Sequence, residues 1–133
     1  MWNYVFAFPL IMHGLANLAG VVESFASKPR SFADRSWIFS SGVKLQSPLG
    51  RIFGIFWLLS SILLVVGGIG LILGWDWWMT AVLLGSICSF IAIAPWWNTV
   101  VPGARFGAIF DQVVILALLV FGEQIPALLS QRR

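Results

Sequence analysis

A chain of 133 residues, of which 59% are hydrophobic and 10% charged, is too apolar for a soluble domain, where about 45–50% are apolar and about 25% charged. The net charge of +3 comes from only eight basic residues, which lie in connecting segments, so anionic lipid headgroups suit it better than nucleic acid. The composition therefore predicts one integral membrane domain surrounded by lipid.

The first apolar run, about residues 2–22, is long enough at about 1.5 Å per residue to cross a hydrocarbon core of about 30 Å. A cleaved signal peptide is the competing interpretation. However, no basic residues precede the run, and Trp2 and Tyr4 are typical interfacial anchors. We therefore expect this helix to stay in the mature protein.

One polar strip runs along this first helix. His13, Asn17, Gly20 and Ser24 follow one another by three or four positions, so a helical repeat places them on one face. A polar side chain in hydrocarbon needs a partner, and Gly14 and Gly20 allow a second helix to approach closely. The strip is therefore predicted to face protein or water.

Residues 23–48 form a long connection that carries both charges and short apolar runs. Phe32 and residues 37–39 are too apolar for water and too short to span, which predicts an interfacial or partly re-entrant segment that caps the bundle. The charged residues of this connection are Glu23, Lys28, Arg30, Asp34, Arg35 and Lys44.

A short turn joins the second and third spans, about residues 49–74 and 77–97. This turn carries Trp75, Trp77 and Trp78, which is typical of a membrane interface, and its shortness requires antiparallel helices. The small residues of both spans indicate close helix packing, in which the Ser60-Ser61 hydroxyls bond to the preceding turn.

The fourth span, about residues 103–122, brings a carboxyl group into the membrane. Gly103, Gly107 and Asp111 follow at intervals of four, with Gln112 beside them, so two close-approach positions precede the carboxyl group. Polar residues and a proline then mark the exit, which leaves residues 127–133 at the surface or fraying.

Four antiparallel spans predict an all-α, integral membrane, up-down four-helix bundle with both termini on one side. The basic residues gather in the first and third connections, which predicts that loops 23–48 and 98–102 are cytoplasmic and that the termini lie outside a bacterial-type plasma membrane, the inner membrane. The terminal pair Arg132 and Arg133 argues for the opposite orientation.

The candidate site joins the first and last helices, because counting inward from their shared interface puts Asp111 at the depth of His13 and Asn17. An ionised carboxylate there costs at least about 2.5–3.5 kcal/mol, so Asp111 is expected to be protonated, paired with His13 or Arg51, or open to a wet cavity. Pairing with His13 would pass protons or hold a polar ligand head. The other candidate lining residues are Ser60 and Ser89.

A purely structural interpretation stays open: Asn17 and Asp111 would bridge helices by hydrogen bonds worth about 0.6–2 kcal/mol, with His13 donating to a backbone carbonyl. Met12 points to a different helix face from His13, so no metal or haem site is expected. Cys88 is expected to pack as a small hydrophobe. The sequence has no P-loop and no hydrolytic nucleophile with a base, so an enzyme acting alone is the weakest interpretation.

Several short motifs lie between about residues 10 and 120: His13-Gly14, Trp75-Asp76-Trp77-Trp78, Ser89, Trp96-Trp97, and Gly107 followed by a polar residue. In these motifs the chain resembles the DoxX-like family of small four-helix membrane proteins. Members of that family often carry Asn in place of Asp111 and a second His in place of Asn17.

The resemblance implies an accessory protein of a membrane redox or quinone/lipid-linked system, because DoxX-type proteins include a subunit of a thiosulfate:quinone oxidoreductase. A small amphiphilic ligand, a quinone or a lipid, would bind between the helices. No other cofactor is expected. The alternative is a structural or assembly subunit without its own ligand, which packs against other membrane subunits or forms a homo-oligomer.

Overall fold

Four long helices make up most of the part of the chain that the structure describes. The structure is a computed structural model, and it describes residues 2–28, 35–39, 43–99 and 102–130. These four helices, the third of which is extended by a 3₁₀ turn (Ala94–Trp96), are long and apolar enough to cross a membrane. The predicted all-α membrane bundle is therefore confirmed. The helices are α1 (Trp2–Phe25), α2 (Pro48–Leu73), α3 (Trp78–Ile93), α4 (Gly103–Phe121) and the short α5 (Ile125–Ser130).

The two ends of α2 follow from their capping residues. The Ser47 hydroxyl accepts a hydrogen bond from a backbone N–H of the first turn, where Pro48 has no N–H to leave unpaired. Gly74 ends the helix with a φ of 75°, a left-handed conformation that disfavours side chains. The Trp75 and Trp77 rings then stack 5.0 Å apart in the tight turn before α3. The predicted turn and the antiparallel pair are confirmed.

Helix α2 lies between α1 and α3 and contacts both through glycines. A Cβ on Gly14 of α1 would lie 3.0 Å from Leu64 Cβ and 3.1 Å from the Ser61 carbonyl oxygen. A Cβ on Gly85 of α3 would lie 3.0 Å from Leu63 Cβ. Such positions let two backbones approach closely, and the predicted packing of small residues is confirmed.

The first connection is shorter than predicted. A charged residue after an apolar run predicts the end of a helix, yet Glu23 lies inside α1 and is only 2% exposed. Burial of this residue is explained by the connection itself, which folds back so that the Gln46 amide donates to the Glu23 backbone carbonyl at 3.2 Å. The helix therefore continues for one more turn before the connection begins.

The described part of the connection covers one end of the bundle, as predicted. The Trp37 indole N–H donates to the Ala94 carbonyl at 2.6 Å, and its ring stacks on Trp97 with centroids 5.2 Å apart. Leu45 is fully buried in the apolar cluster at this end. The indole hydrogen bond satisfies a carbonyl of the 3₁₀ turn that follows α3. The expectation for Phe32 falls outside the described residues.

The chain after α4 folds back onto the bundle. Leu129 of α5 packs against a buried cluster that includes Ala7 and Leu10 of α1. Ala127 is exposed, which agrees with the expectation that residues 127–133 lie at the surface or fray, whereas Leu129 is half-buried against this cluster. Residues 131–133 lie outside the described part.

Candidate functional site

The imidazole of His13 connects α1 to α3 and α4. Its Nε2 atom lies 2.9 Å from Asp111 Oδ1 and 3.1 Å from the Ser89 hydroxyl oxygen. The Asp111 side chain is fully buried, and the His13 side chain is 13% exposed. The predicted meeting of the first and last helices thus occurs through these two side chains.

The amide of Asn17 extends the contact to α2. Its Nδ2 atom donates to the Ser60 hydroxyl at 2.8 Å and to the Ser89 hydroxyl at 3.0 Å. Asn17, Ser60 and Ser89 are all buried. We call His13, Asn17, Ser60, Ser89 and Asp111 the central polar cluster, to which each of the four long helices contributes.

The cluster lies near the middle of every helix that contributes to it, and so near the middle of the bilayer. The helical repeat explains this arrangement on α1, where Asn17 is one turn beyond His13. Hydrogen bonds between the helices replace the water that hydrocarbon excludes, which is the requirement for polar groups at this depth.

Parts of the structural interpretation are confirmed and parts are wrong. Asn17 and Asp111 do form hydrogen bonds between helices, as that interpretation requires. His13 bonds side chains rather than a backbone carbonyl, because α3 and α4 supply nearer partners. Ser60 accepts a bond from another helix instead of serving only its own preceding turn.

Two polar residues singled out in the sequence lie outside the cluster. Arg51 is exposed in the first turn of α2, more than two turns before Ser60, so helix geometry keeps it from pairing with Asp111. Gln112 is exposed on α4 although it neighbours Asp111 in sequence, because adjacent helical residues point about 100° apart. The pairing of Asp111 with His13 is the one that forms.

The second carboxyl oxygen of Asp111 is in an unusual position. Asp111 Oδ2 is buried and has no hydrogen-bond partner among the described residues. Such atoms are uncommon, because burying a polar atom without a partner costs free energy. The cost is larger for a charged oxygen than for a neutral one, so a net charge on the His13–Asp111 pair is disfavoured here.

A cleft of about 770 Å³ lies between α1 and α4 on one side of the polar cluster. His13 and Asn17 line its inner wall, and the ring of Trp57 from α2 lies against Gly20. We call this space the polar cleft. The side chains at its mouth, which are more than a third exposed and would meet lipid, are Phe8, Met12 and Phe106.

A second cleft, of about 650 Å³, lies on the opposite side of the cluster, toward the two ends of the chain. It is lined by apolar side chains such as Leu10, Leu71 and Val114, and we call it the apolar cleft. Pro9 and Phe110 line both clefts, and the Phe110 ring lies 4.9 Å from the His13 ring, centroid to centroid. These two residues therefore separate the clefts.

Sequence reasoning missed Pro9, Trp57 and Phe110 as lining residues. A proline inside an apolar span is a visible signal, since it removes a backbone hydrogen bond and commonly bends a helix. The two aromatic residues gave no such signal, because apolar residues on all sides of a span look alike in sequence. Among the described residues no three His, Cys, Asp or Glu side chains come together.

Comparison with known proteins adds no relative: no family model matches the chain, and no significant match is found among curated proteins or solved structures.

Proposed function

We propose that this protein binds a small amphiphilic molecule in the polar cleft between α1 and α4. The observation that carries the proposal is the position of His13, whose ring joins the buried polar cluster and also lines a cleft open toward the membrane. A volume of about 770 Å³ falls within the range of about 300–1,000 Å³ that is usual for small-molecule sites.

The chemistry of the walls supports an amphiphile. Most of the lining is apolar, while polar atoms are confined to a few positions that include His13, Asn17 and Thr99. Few polar groups in an apolar cleft orient a ligand without making entry costly. A ligand dissolved in the bilayer would enter sideways, between Met12 and Phe106, with its polar end toward His13.

The wider setting is proposed on the basis of the sequence motifs. The chain is proposed to be a DoxX-like accessory protein of a membrane redox or quinone/lipid-linked system. It would lie in a bacterial-type plasma membrane, with the termini outside and loops 23–48 and 98–102 cytoplasmic. The distribution of basic residues between the connections supports this orientation.

Mass spectrometry of the protein purified in mild detergent tests the proposal. We expect a quinone or lipid to co-elute with the wild-type protein and to be lost or reduced in His13→Ala. Leu15→Ala is the matched control, because Leu15 lies on the same helix but is exposed and does not line the polar cleft.

The same purification distinguishes the assembly alternative. A stoichiometric protein partner with no bound small molecule, in wild type and variants alike, would contradict ligand binding and support a structural subunit. Equal ligand loss in His13→Ala and Leu15→Ala would show that the ligand belongs to the general lipid shell rather than to the cleft.

A further inference from the structure

Within the polar cleft, the Nδ1 edge of the His13 ring faces outward. Nε2 is engaged by Asp111 and Ser89, whereas Nδ1 forms no hydrogen bond with any described residue. On this side of the ring lies Gly107: a Cβ there would be 3.1 Å from His13 Cε1 and 3.9 Å from Nδ1. The absence of a side chain at Gly107 therefore leaves Nδ1 accessible from the cleft.

Two other polar side chains of the polar cleft, those of Asn17 and Thr99, have no donor to spare. Asn17 uses both amide hydrogens, one toward Ser60 and one toward Ser89. The Thr99 hydroxyl donates to the Trp96 carbonyl. The remaining side-chain donor of the lining is the indole N–H of Trp57, whose ring lies against Gly20, about two turns from His13 along α1. The Nδ1 atom of His13 is consequently the polar position from which the lining can recognise a ligand head at the level of the central polar cluster.

The net charge of the His13–Asp111 pair decides whether Nδ1 donates or accepts a hydrogen bond. His13 and Asp111 are the titratable side chains of the polar cluster, and the charged residues Glu23, Arg51 and Arg105 lie in the end turns of their helices. A net charge near the bilayer centre is costly, so the His13–Asp111 pair should be neutral as a unit.

A neutral pair can be imidazolium with carboxylate or imidazole with carboxylic acid. With the acid proton on Oδ1, both arrangements place one proton between Nε2 and Oδ1 and the other on Nδ1. An acid proton on Oδ2 would instead leave Nδ1 without a proton, but Oδ2 has no hydrogen-bond partner among the described residues, so that arrangement would bury an O–H group without an acceptor. The pair therefore presents an N–H donor to the polar cleft.

The geometry points to an uncharged amphiphile with a hydrogen-bond-accepting carbonyl head as the ligand of the polar cleft, held by the His13 Nδ1–H. This inference deepens the proposed function and rests on it. A carbonyl oxygen accepts the bond without bringing charge to the bilayer centre, whereas an anionic or cationic head would have to be desolvated at a cost of several kcal/mol. An apolar body then fills the space lined by Trp57 and Phe106.

Nitrogen NMR can test the donor directly, because His13 is the only histidine in the chain. The protein would be labelled with ¹⁵N in the histidine ring and placed in nanodiscs of neutral lipid at pH 7. We expect Nδ1 to carry a proton, visible as a one-bond N–H coupling. An unprotonated Nδ1 beside an Nε2–H would overturn the inference while leaving cleft binding intact.

The ligand class is tested with hexanophenone and its methylene counterpart, in which C=CH₂ replaces C=O. At equal concentration in the bilayer, hexanophenone should bind about fivefold more tightly, the effect of one hydrogen bond, and should shift the Nδ1 resonance. Equal binding of both probes without that shift would overturn carbonyl recognition but not the cleft. Binding of neither probe would instead contradict the proposed function itself.

Discussion

Helix α1 meets α2 and α4 in opposite ways. Against α2 it packs through Gly14, with no room for a larger side chain, and we call this contact the closed seam. Against α4 it meets through His13 and Asp111, with a cleft on either side, and we call this contact the open seam. Because lipid is as apolar as the helices, burial of apolar surface does not drive helices together in a membrane, and close packing holds the closed seam. In the open seam, hydrogen bonds near the middle of the two helices contribute to the contact.

The difference explains where a ligand can lie. Van der Waals packing is lost when a space opens, so a seam held by packing cannot also contain a cleft. A polar contact at one level holds two helices together without filling the length of their interface. The open seam therefore combines attachment with space, and its polar contact is also what a ligand head would recognise.

The largest effect is expected from Gly14→Leu in the closed seam. Overpacking against Leu64 and the Ser61 carbonyl should cost about 3 kcal/mol of unfolding free energy, measured by SDS titration in mixed micelles. Val22→Leu, a lipid-facing change on the same helix, should leave stability unchanged. An equally stable Gly14→Leu protein would show that the closed seam is not tightly packed.

The same substitution in the open seam, Gly107→Leu, should act on binding rather than on folding. The new side chain would enter the polar cleft beside the His13 ring, so we expect binding of an amphiphile to fall by more than about tenfold, equivalent to about 1.4 kcal/mol. Unfolding free energy should fall less than in Gly14→Leu, because the atoms that a Cβ at Gly107 would meet at 3.1 Å, His13 Cε1 and Ile93 Cδ1, belong to side chains rather than to a backbone carbonyl. Ile109→Leu, on the exposed face of α4, is the control. A Gly107→Leu protein as unstable as Gly14→Leu would remove the distinction between the seams.

Asp111→Asn tests whether the polar contact of the open seam serves ligand binding or only bridges the helices. An amide oxygen can still accept from His13 Nε2, so stability should change by less than about 1 kcal/mol. The amide no longer fixes a proton on Nδ1, however, and affinity for a carbonyl probe should fall about fivefold. Equilibrium binding in nanodiscs measures the second effect. Unchanged affinity together with unchanged stability would indicate that Asp111 only bridges helices.

The smallest effect is expected from Ser60→Ala, which removes the hydrogen bond from Asn17 of α1 to the Ser60 hydroxyl of α2. Asn17 keeps its bond to Ser89, so the loss should be about 0.6 kcal/mol, the average for hydrogen bonds between membrane helices. The SDS titration used for Gly14→Leu compares the two directly. A loss as large as that of Gly14→Leu would mean that hydrogen bonding, rather than packing, holds the closed seam.

Much of the candidate site follows from helix periodicity. His13 and Asn17 lie one turn apart on a strip that must avoid lipid, and Asp111 lies at the matching depth of the last helix, so their meeting could be predicted. The roles of Ser60 and Ser89 in bonding Asn17 required coordinates, because serine hydroxyls in apolar spans equally well bond their own helix.

The two clefts could not be predicted from the sequence, for a different reason. Whether Phe110 and Trp57 face lipid, a neighbour or an internal space depends on how far α4 stands from α1, which is set by the sum of many contacts. The end of α1 illustrates the same limit, since Glu23 looks like a connection residue until Gln46 is seen folding back onto it.

The sequence by itself determined that this is a membrane-spanning bundle of four antiparallel helices, because the length and apolarity of each span depend only on local residues and on the thickness of a bilayer. Only the tertiary structure decided that α1 closes against α2 and stays open against α4. That choice depends on how far α2 and α4 each stand from α1, and this spacing is set by the sum of many contacts across the bundle rather than by local sequence.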